Sequence, residues 1–538
     1  MTFNLIQRAW IPVCSSEGER RWVAPADIVD LPDDFDIEWG RPEFRIATYE
    51  LLIGIFAVAL AARLRESEDW VALAETPPMR SELEALLAPL IPHFDLDGAG
   101  PRFLQDFDEL KGEARPLDAL LLDAPGDNTL KNGADIFAKR DRFPIFSRKA
   151  AAIALYAMQA FATSGGPGHR TSMRGGGPLT TLIVPERPSL WRRIAVNLPF
   201  LGDDPQKRPP DDPGLIFPWL KPTRVSKNDM ITQMGLHAHY LQCFFGMPRR
   251  IRLIFAPNDG CAPCAITGEI DDIVTFGLSM LPHGIRYGVW RHPLSPYYRA
   301  KPGEPPLPAH AQNGRAGYRD WAGYLFRKGD DDLRAEQIMN FEHTFRRQRH
   351  ARLVAAGFVT SSYTCLDWTE SEAPLFLLEN AKARRRLAEI VQEQFVPAAE
   401  IAADALRRAL RRALAIEDGQ KTTVASAVER FWIDTGDAFF RLIGEAHEKL
   451  SAASDEDDLN ELDLSSLSQC WLAELKRRAL EIFRKTTPVD QLSRLDSNSV
   501  ERIANAAKSL GLCLSGYSKD GGELYAKLGL PVPEKKAA

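Results

Sequence analysis

Motifs of catalysis are missing from this 538-residue chain. Its ten histidines form no HExxH helix and no His-Asp dyad, no GxSxG elbow occurs, and no two-carboxylate metal cluster stands out. Hydrolase and metalloenzyme readings therefore have no support, and the expectation is a non-enzyme. Cysteine is sparse too: seven residues, an odd number scattered from Cys14 to Cys513, make no disulfide framework and suit a reducing compartment. No apolar run reaches the roughly 18 residues of a membrane span. The longest candidate, Tyr49 to Ala62, is interrupted by Glu50. Met1-Thr2-Phe3-Asn4 carries no basic segment ahead of an apolar one, so a cytoplasmic location is expected. Positive charge is also lacking, with 67 Lys and Arg against 73 Asp and Glu for a net charge of −6. That balance excludes a protein coating nucleic acid over its whole surface, while leaving room for a short basic track.

Length predicts two or three domains. Residues 1–375 read as a large mixed α+β domain, with short strands such as Arg250 to Phe255 between helices. Leu201 to Gly214 and Ala300 to Gly317, rich in Pro, Gly and Asp or Ala, read as exposed loops. From 376 to 538 the pattern turns helical. Ala402, Leu406, Ala409, Leu410, Ala413 and Leu414 recur at i, i+3, i+4 spacing, and Arg407, Arg408, Arg411 and Arg412 fall on the opposite face. Similar runs cover Val424 to Leu450, Leu464 to Arg484 and Ser499 to Leu510, with the acidic run Asp455 to Asp458 as a loop between two of them. Four such helices predict an all-α four-helix bundle. The Arg quartet is either a solvated face or a surface for a polyanion.

The densest signal lies between Ser164 and Pro178, where six glycines, two prolines and two arginines fall within fifteen residues. Glycine lets a partner approach the backbone and allows positive φ, so that successive N–H groups converge on an anion or a base edge. Gly165, Gly166 and Gly168 with Arg170 and Arg174 are the candidate binding residues. A phosphate loop is the first alternative, as in a nucleotide-binding transferase, but His169-Arg170-Thr171 stands where Lys-Ser/Thr is required, and a helical run (Ala150 to Ala162) precedes the loop where a strand belongs. A plain turn-rich surface loop is the second. Leu179 to Val184 follows as a short β-branched strand.

Upstream, Lys131, Lys139, Arg140, Arg142, Arg148 and Lys149 interleave with Phe137, Phe143 and Phe146. Cations can pair with phosphates while an aromatic stacks on a base. The alternative is a solvated loop whose phenylalanines anchor it in the core. Cys261-Ala262-Pro263-Cys264 is the one CxxC in the chain, and a structural zinc on Cys261 and Cys264 would need two further ligands, with Cys243, His237 and His239 nearby in sequence. A pair of ordinary thiols on a turn is the plainer reading.

Taken with Phe3 to Val13, Asn128-Thr129-Leu130-Lys131, and Trp290-Arg291-His292-Pro293-Leu294 within Tyr287 to Tyr297, the glycine stretch resembles the CasA family. These proteins are large subunits of the type I-E CRISPR Cascade complex. Gly357 to Phe376 resembles the stretch carrying that family's DNA wedge, here Ser361-Ser362-Tyr363 in place of the usual polar and amide residues. The resemblance implies a non-enzymatic subunit that reads a protospacer-adjacent motif (PAM) from the minor-groove side of double-stranded DNA through the glycine loop. It further implies that the subunit promotes duplex opening and R-loop formation in antiviral defence and helps recruit the effector helicase-nuclease, with its basic loop against CRISPR RNA and other Cascade subunits. Where the family has a lysine or arginine finger, about nine residues before Trp290, this chain has Leu281, with His283 and Arg286 close by. Both departures imply a different or looser PAM.

Overall fold

The computed structural model describes residues 2–534 apart from 137–138, 141, 167, 289, 312–316, 327–332, 362–363, 416–421, 454–458, 460–461 and 489–495. Of the candidate residues, Phe137, Ser362 and Tyr363 lie outside the described set, as do Pro167 and the run Asp455 to Asp458. Among the described residues no helix is long and apolar enough to cross a membrane.

The chain forms two units, one of Met1–Gln312, Leu333–Phe345 and Leu353–Glu372, the other of Asn313–Asp332, Arg346–Arg352 and Ala373–Ala538. In the first, β1 (Ile11–Cys14) pairs antiparallel with β2 (Arg20–Val23) and β3 (Asp36–Ile37). Helix α1 (Pro42–Ala59) is buried nearly all round, as a helix apolar on every face must be, and α2 (Ser67–Glu75) and α3 (Arg80–Leu87) follow it. After α4 (Asp127–Lys131) and β4 (Phe146–Ser147), the Ser147 hydroxyl caps α5 (Arg148–Phe161) by accepting the Ala150 N–H at 3.3 Å. Helix α5 matches the helical run expected before the glycines and packs on α1.

The remaining strands of this unit frame the glycine stretch. After β5 (Thr180–Val184) and α6 (Leu190–Ala195), β6 (Arg250–Pro257) and β7 (Ile273–Leu281) pair antiparallel, with an irregularity at Ile254/Phe255, in a sheet of order β4-β7-β6. A small ribbon joins β8 (Tyr297–Tyr298) to β9 (Leu307–Pro308). Beyond α7 (Tyr318–Leu325) of the second unit and α8 (Glu336–Thr344), β10 (Arg352–Ser361) and β11 (Thr364–Pro374) make a third sheet of order β11-β10-β5. The chain therefore runs from α5 through the glycines into β5.

The second unit is helical. Its α9 (Ala381–Glu389) continues through a π-helical turn, Ile390–Phe395, into α10 (Val396–Ala413), which contacts α11 (Thr422–Ala452), α12 (Ser465–Thr486), α13 (Ser497–Leu514) and α14 (Lys519–Lys527). Ala402, Leu406, Ala409, Leu410 and Ala413 are buried on α10 while the four arginines stay exposed, as the periodicity requires. Trp471 is the pivot of the core: its ring stacks on Phe395 at 5.7 Å and its Nε1–H donates to the Phe395 carbonyl at 3.0 Å. Tyr318 stacks on Phe439 at 4.2 Å beside it.

Candidate nucleic-acid interface

Two hydrogen bonds close the glycine stretch at its base. The Ser172 N–H donates to the Ala162 carbonyl at 2.9 Å, and the Gly177 N–H to the Phe161 carbonyl at 3.3 Å, both at the C-terminal end of α5. Within the loop so formed, Gly166 has φ +91° and Gly168 φ +79°, conformations that L side chains rarely adopt. The two glycines are needed for different reasons. Nothing lies within 4 Å of a Cβ placed on Gly166, which faces solvent, whereas one on Gly168 would stand 2.7 Å from the Pro282 Cβ. Gly168 is pinned there because its carbonyl accepts the His283 N–H at 2.7 Å. The segment just past β7, where the sequence shows Leu281 and His283 in place of a basic finger, thus forms one wall of the loop. His283 itself holds φ +66°, and among the described residues its buried Nδ1 has no hydrogen-bond partner.

The two arginines of the stretch differ in kind. Arg170 Nε donates to Ser226 Oγ at 2.9 Å and its Nη2 to the Ser226 carbonyl at 3.0 Å, while the Ser226 N–H donates to the His283 carbonyl at 3.0 Å, so Arg170 braces the same wall. Arg174 is a correction to the surface cation expected from sequence: it is 3% exposed. Its Nη2 reaches both carboxylate oxygens of Glu50 on α1, at 2.9 and 2.7 Å, and its Nη1 donates to Thr180 Oγ1 at 3.1 Å and Ser295 Oγ at 3.0 Å. Glu50, which interrupts the longest apolar run, is there as its counter-ion. A buried pair of this kind holds because both terminal nitrogens of the guanidinium are hydrogen-bonded as well as charge-paired.

Gly177 brings a second wall. With φ +69°, it lies where a Cβ would meet Thr360 Cγ2 at 2.6 Å and the Phe358 carbonyl at 3.0 Å, so the end of β10, including the exposed Ser361, runs alongside the glycines. A loop that leaves a helix and enters a strand in this way offers no following helix N-terminus, which a phosphate loop needs.

Two features here escape sequence reading. Arg249, just before β6, is 5% exposed directly beneath the loop: its Nη1 is 2.7 Å from where a Gly165 Cβ would stand, and its Nη2 donates to the Thr163 carbonyl. Among the described residues its Nε has no partner, and burial pulls its pKa down to about 10. Nothing in the dipeptide Arg249-Arg250 marks it out, and Arg250 pairs with Asp106 at 2.6 Å. Beside the wall, Met230, Ile231, Met234 and Leu236 are exposed large apolar residues on a segment held by Thr232, whose N–H donates to the Arg286 carbonyl at 2.7 Å. The available signal was a cluster of large apolar side chains with neither helical nor strand periodicity.

The basic segment divides. Phe143 and Phe146 are buried against each other, as the anchoring alternative holds, and Arg148 and Lys149 open α5 paired with Asp271 at 2.6 Å and Glu269 at 2.9 Å. Lys131, Ile136, Lys139 and Arg140 are exposed, with Arg140 held by Asp135 at 2.7 Å. In the helical unit Arg407 pairs with Asp404 one turn back and Arg408 with Asp520 at the start of α14. Arg408 and Arg412 line a groove of about 290 Å³ with Ser509, Ser518, Lys519 and Asp520. Cys264 is buried and Cys261 exposed, and among the described residues no third His, Cys, Asp or Glu joins them in a metal-holding group.

Residues 4–482 match the family described as CRISPR-associated protein Cse1 (CRISPR_cse1). Among solved structures, Thermus thermophilus CasA (Cse1) is similar at 20% identity over 97% of this chain and 99% of that one, with a TM-score of 0.69. Thermobifida fusca Cse1 is similar at 17% identity over 98% of each chain, with a TM-score of 0.68. A chain of a CRISPR RNA-guided surveillance complex is similar at 15% identity over 95% of this chain and 99% of that one, with a TM-score of 0.64. At these identities the structural likeness shows the fold.

Proposed function

The chain belongs to the CRISPR-associated Cse1 family, the CasA-type large subunits of type I Cascade complexes, and from that premise we propose that it is a non-enzymatic type I-E subunit reading the PAM of double-stranded DNA through its glycine loop. The observation carrying this reading is the exposed Gly165-Gly166 backbone, in a stretch that packs on Pro282-His283 at Gly168 and on the end of β10 at Gly177. Backbone without side chains suits the minor groove, where bulky groups do not fit. Ser361 at the end of β10 starts the proposed wedge, which would part the duplex beside the loop. Sequence identification then passes to guide-RNA pairing, since only a few base pairs need reading before strand exchange begins. In this reading Lys131, Lys139 and Arg140 face the guide RNA and a neighbouring subunit. The helices α10 to α13 act as a four-helix bundle whose arginines hold the displaced strand and help present the complex to the helicase-nuclease.

Co-expression with the neighbouring genes tests the assignment, and the expected result is copurification with guide RNA and backbone subunits. On that complex, duplexes with randomised bases beside the protospacer should bind with a clear preference at two or three positions. A flat profile would overturn PAM reading.

A further inference from the structure

Arg249 is a charged group in a place that ordinarily demands a counter-charge. A buried guanidinium is almost always paired, because removing it from water costs several kcal/mol. Among the described residues no carboxylate pairs with Arg249: its main chain exchanges hydrogen bonds with the Gln159 side chain at 3.0 Å each, and its guanidinium donates to the carbonyl of Thr163. The Nε is left with no acceptor. Gly165 covers it beside His169: a side chain at 165 would begin 2.7 Å from Nη1, 3.0 Å from Nη2 and 3.0 Å from the His169 Cβ, so the Gly165 backbone stands between the guanidinium and the exposed outer face of the loop. His283, whose Nδ1 is likewise unsatisfied, stands on the other side of the same loop, 3.1 Å by its Cε1 from where a Gly168 Cβ would lie.

We propose that Arg249 is the buried cation of a phosphodiester site, and that a backbone phosphate of the duplex, seated on the outer face of Gly165-Gly166, supplies the negative charge the protein omits. The inference rests on the DNA-contacting role proposed for the loop and names the atom group that the contact takes. A phosphate there has the Arg249 guanidinium behind it, across the Gly165 backbone. Gly165 is glycine for want of room and not for its backbone angle: its φ lies outside the positive range, and a Cβ there would press on Arg249 Nη1 at 2.7 Å and on the His169 Cβ at 3.0 Å.

The test uses the reconstituted complex and two duplexes, one with and one without the PAM, over a range of salt. Arg249→Gln should weaken both duplexes by the same factor, on the order of tenfold, and lower the slope of log affinity on log salt by about 0.9, the signature of one lost phosphate. Arg249→Lys should keep most of the slope. A wild-type melting temperature for each variant confirms folding. If Arg249→Gln loses affinity with an unchanged slope, Arg249 only positions the loop through Thr163 and the site is overturned; unchanged affinity overturns it as well. A wild-type complex that fails to distinguish the two duplexes, while the slope still falls in Arg249→Gln, would overturn PAM reading and leave the phosphate site standing.

Discussion

A single glycine and a single arginine show how differently two residues of one short stretch serve it. Gly166 has open space around it and a left-handed backbone, so a bulky replacement both strains the loop and blocks close approach. We expect Gly166→Trp to weaken PAM-containing duplex by about 1–3 kcal/mol, the scale of one lost base-pair contact, with little effect on a single-stranded target complementary to the guide. Equal loss on both substrates in binding assays would point to a general defect. Arg174 answers to stability instead. Arg174→Met strands Glu50 in the core and should cost about 3–5 kcal/mol by denaturant melt, while the double variant with Glu50→Met should recover much of it, because removing both charges removes the uncompensated one. His292 adds a pH dependence. Its ring is buried against Phe244, and burial first, then the nearby Arg174 charge, hold its pKa well below the ordinary histidine value. The unfolded chain takes up a proton near pH 6.5 that the folded site refuses. Stability from this group is therefore full above that pH and lost as pH falls below it. Melting temperatures from pH 8 to pH 5 should show the decline, shallower in His292→Gln.

At the scale of elements, the divided basic segment separates anchoring from contact. Phe146 is buried in β4, and Arg148 and Lys149 are tied by ion pairs at the start of α5, so changing them tests folding. Lys139 and Arg140 stand exposed ahead of it. Neutralising these two together should lower incorporation into the complex and flatten the salt dependence of assembly, with the melting temperature measured alongside because the nearly buried Asp135 carboxylate loses its Arg140 partner. Copurification at wild-type levels in low and high salt would remove the segment from the interface. In the helical unit, Trp471→Ala removes a ring stacked on Phe395 together with its indole hydrogen bond, and should cost about 3–5 kcal/mol in chemical denaturation.

For the whole molecule, a net charge of −6 requires that any nucleic-acid contact be local, and the exposed cations are grouped accordingly. On α10, Arg407 and Arg408 carry carboxylate partners, and Arg412 lies in the groove beside Lys519. Exchanging Arg407, Arg408, Arg411 and Arg412 for glutamine should leave folding and initial PAM binding close to wild type, because solvent-exposed pairs contribute about 0–1 kcal/mol each. The lifetime of the open R-loop and the cleavage that follows should fall. Wild-type lifetimes at physiological salt would reduce the quartet to a solvated face.

Some elements were legible in the sequence because their signal is local: spacing placed α5, β5, α11, α12 and α13 within a few residues of their observed bounds, while the run from Ala402 caught only the later turns of α10. Family membership was legible for a related reason, since its motifs keep their order along the chain. The glycine stretch announced a close approach, again a property of the residues themselves. What approaches it from within the protein was decided only by tertiary structure. Arg170 and Arg174 look alike in sequence, yet one braces the Ser226 wall and the other is sealed against Glu50, because the carboxylate that claims Arg174 is on α1, more than a hundred residues away. Arg249 gives no local sign at all. Its meaning comes from what folding leaves out, a carboxylate beside a buried guanidinium, and an omission of that kind exists only once distant segments have been brought together.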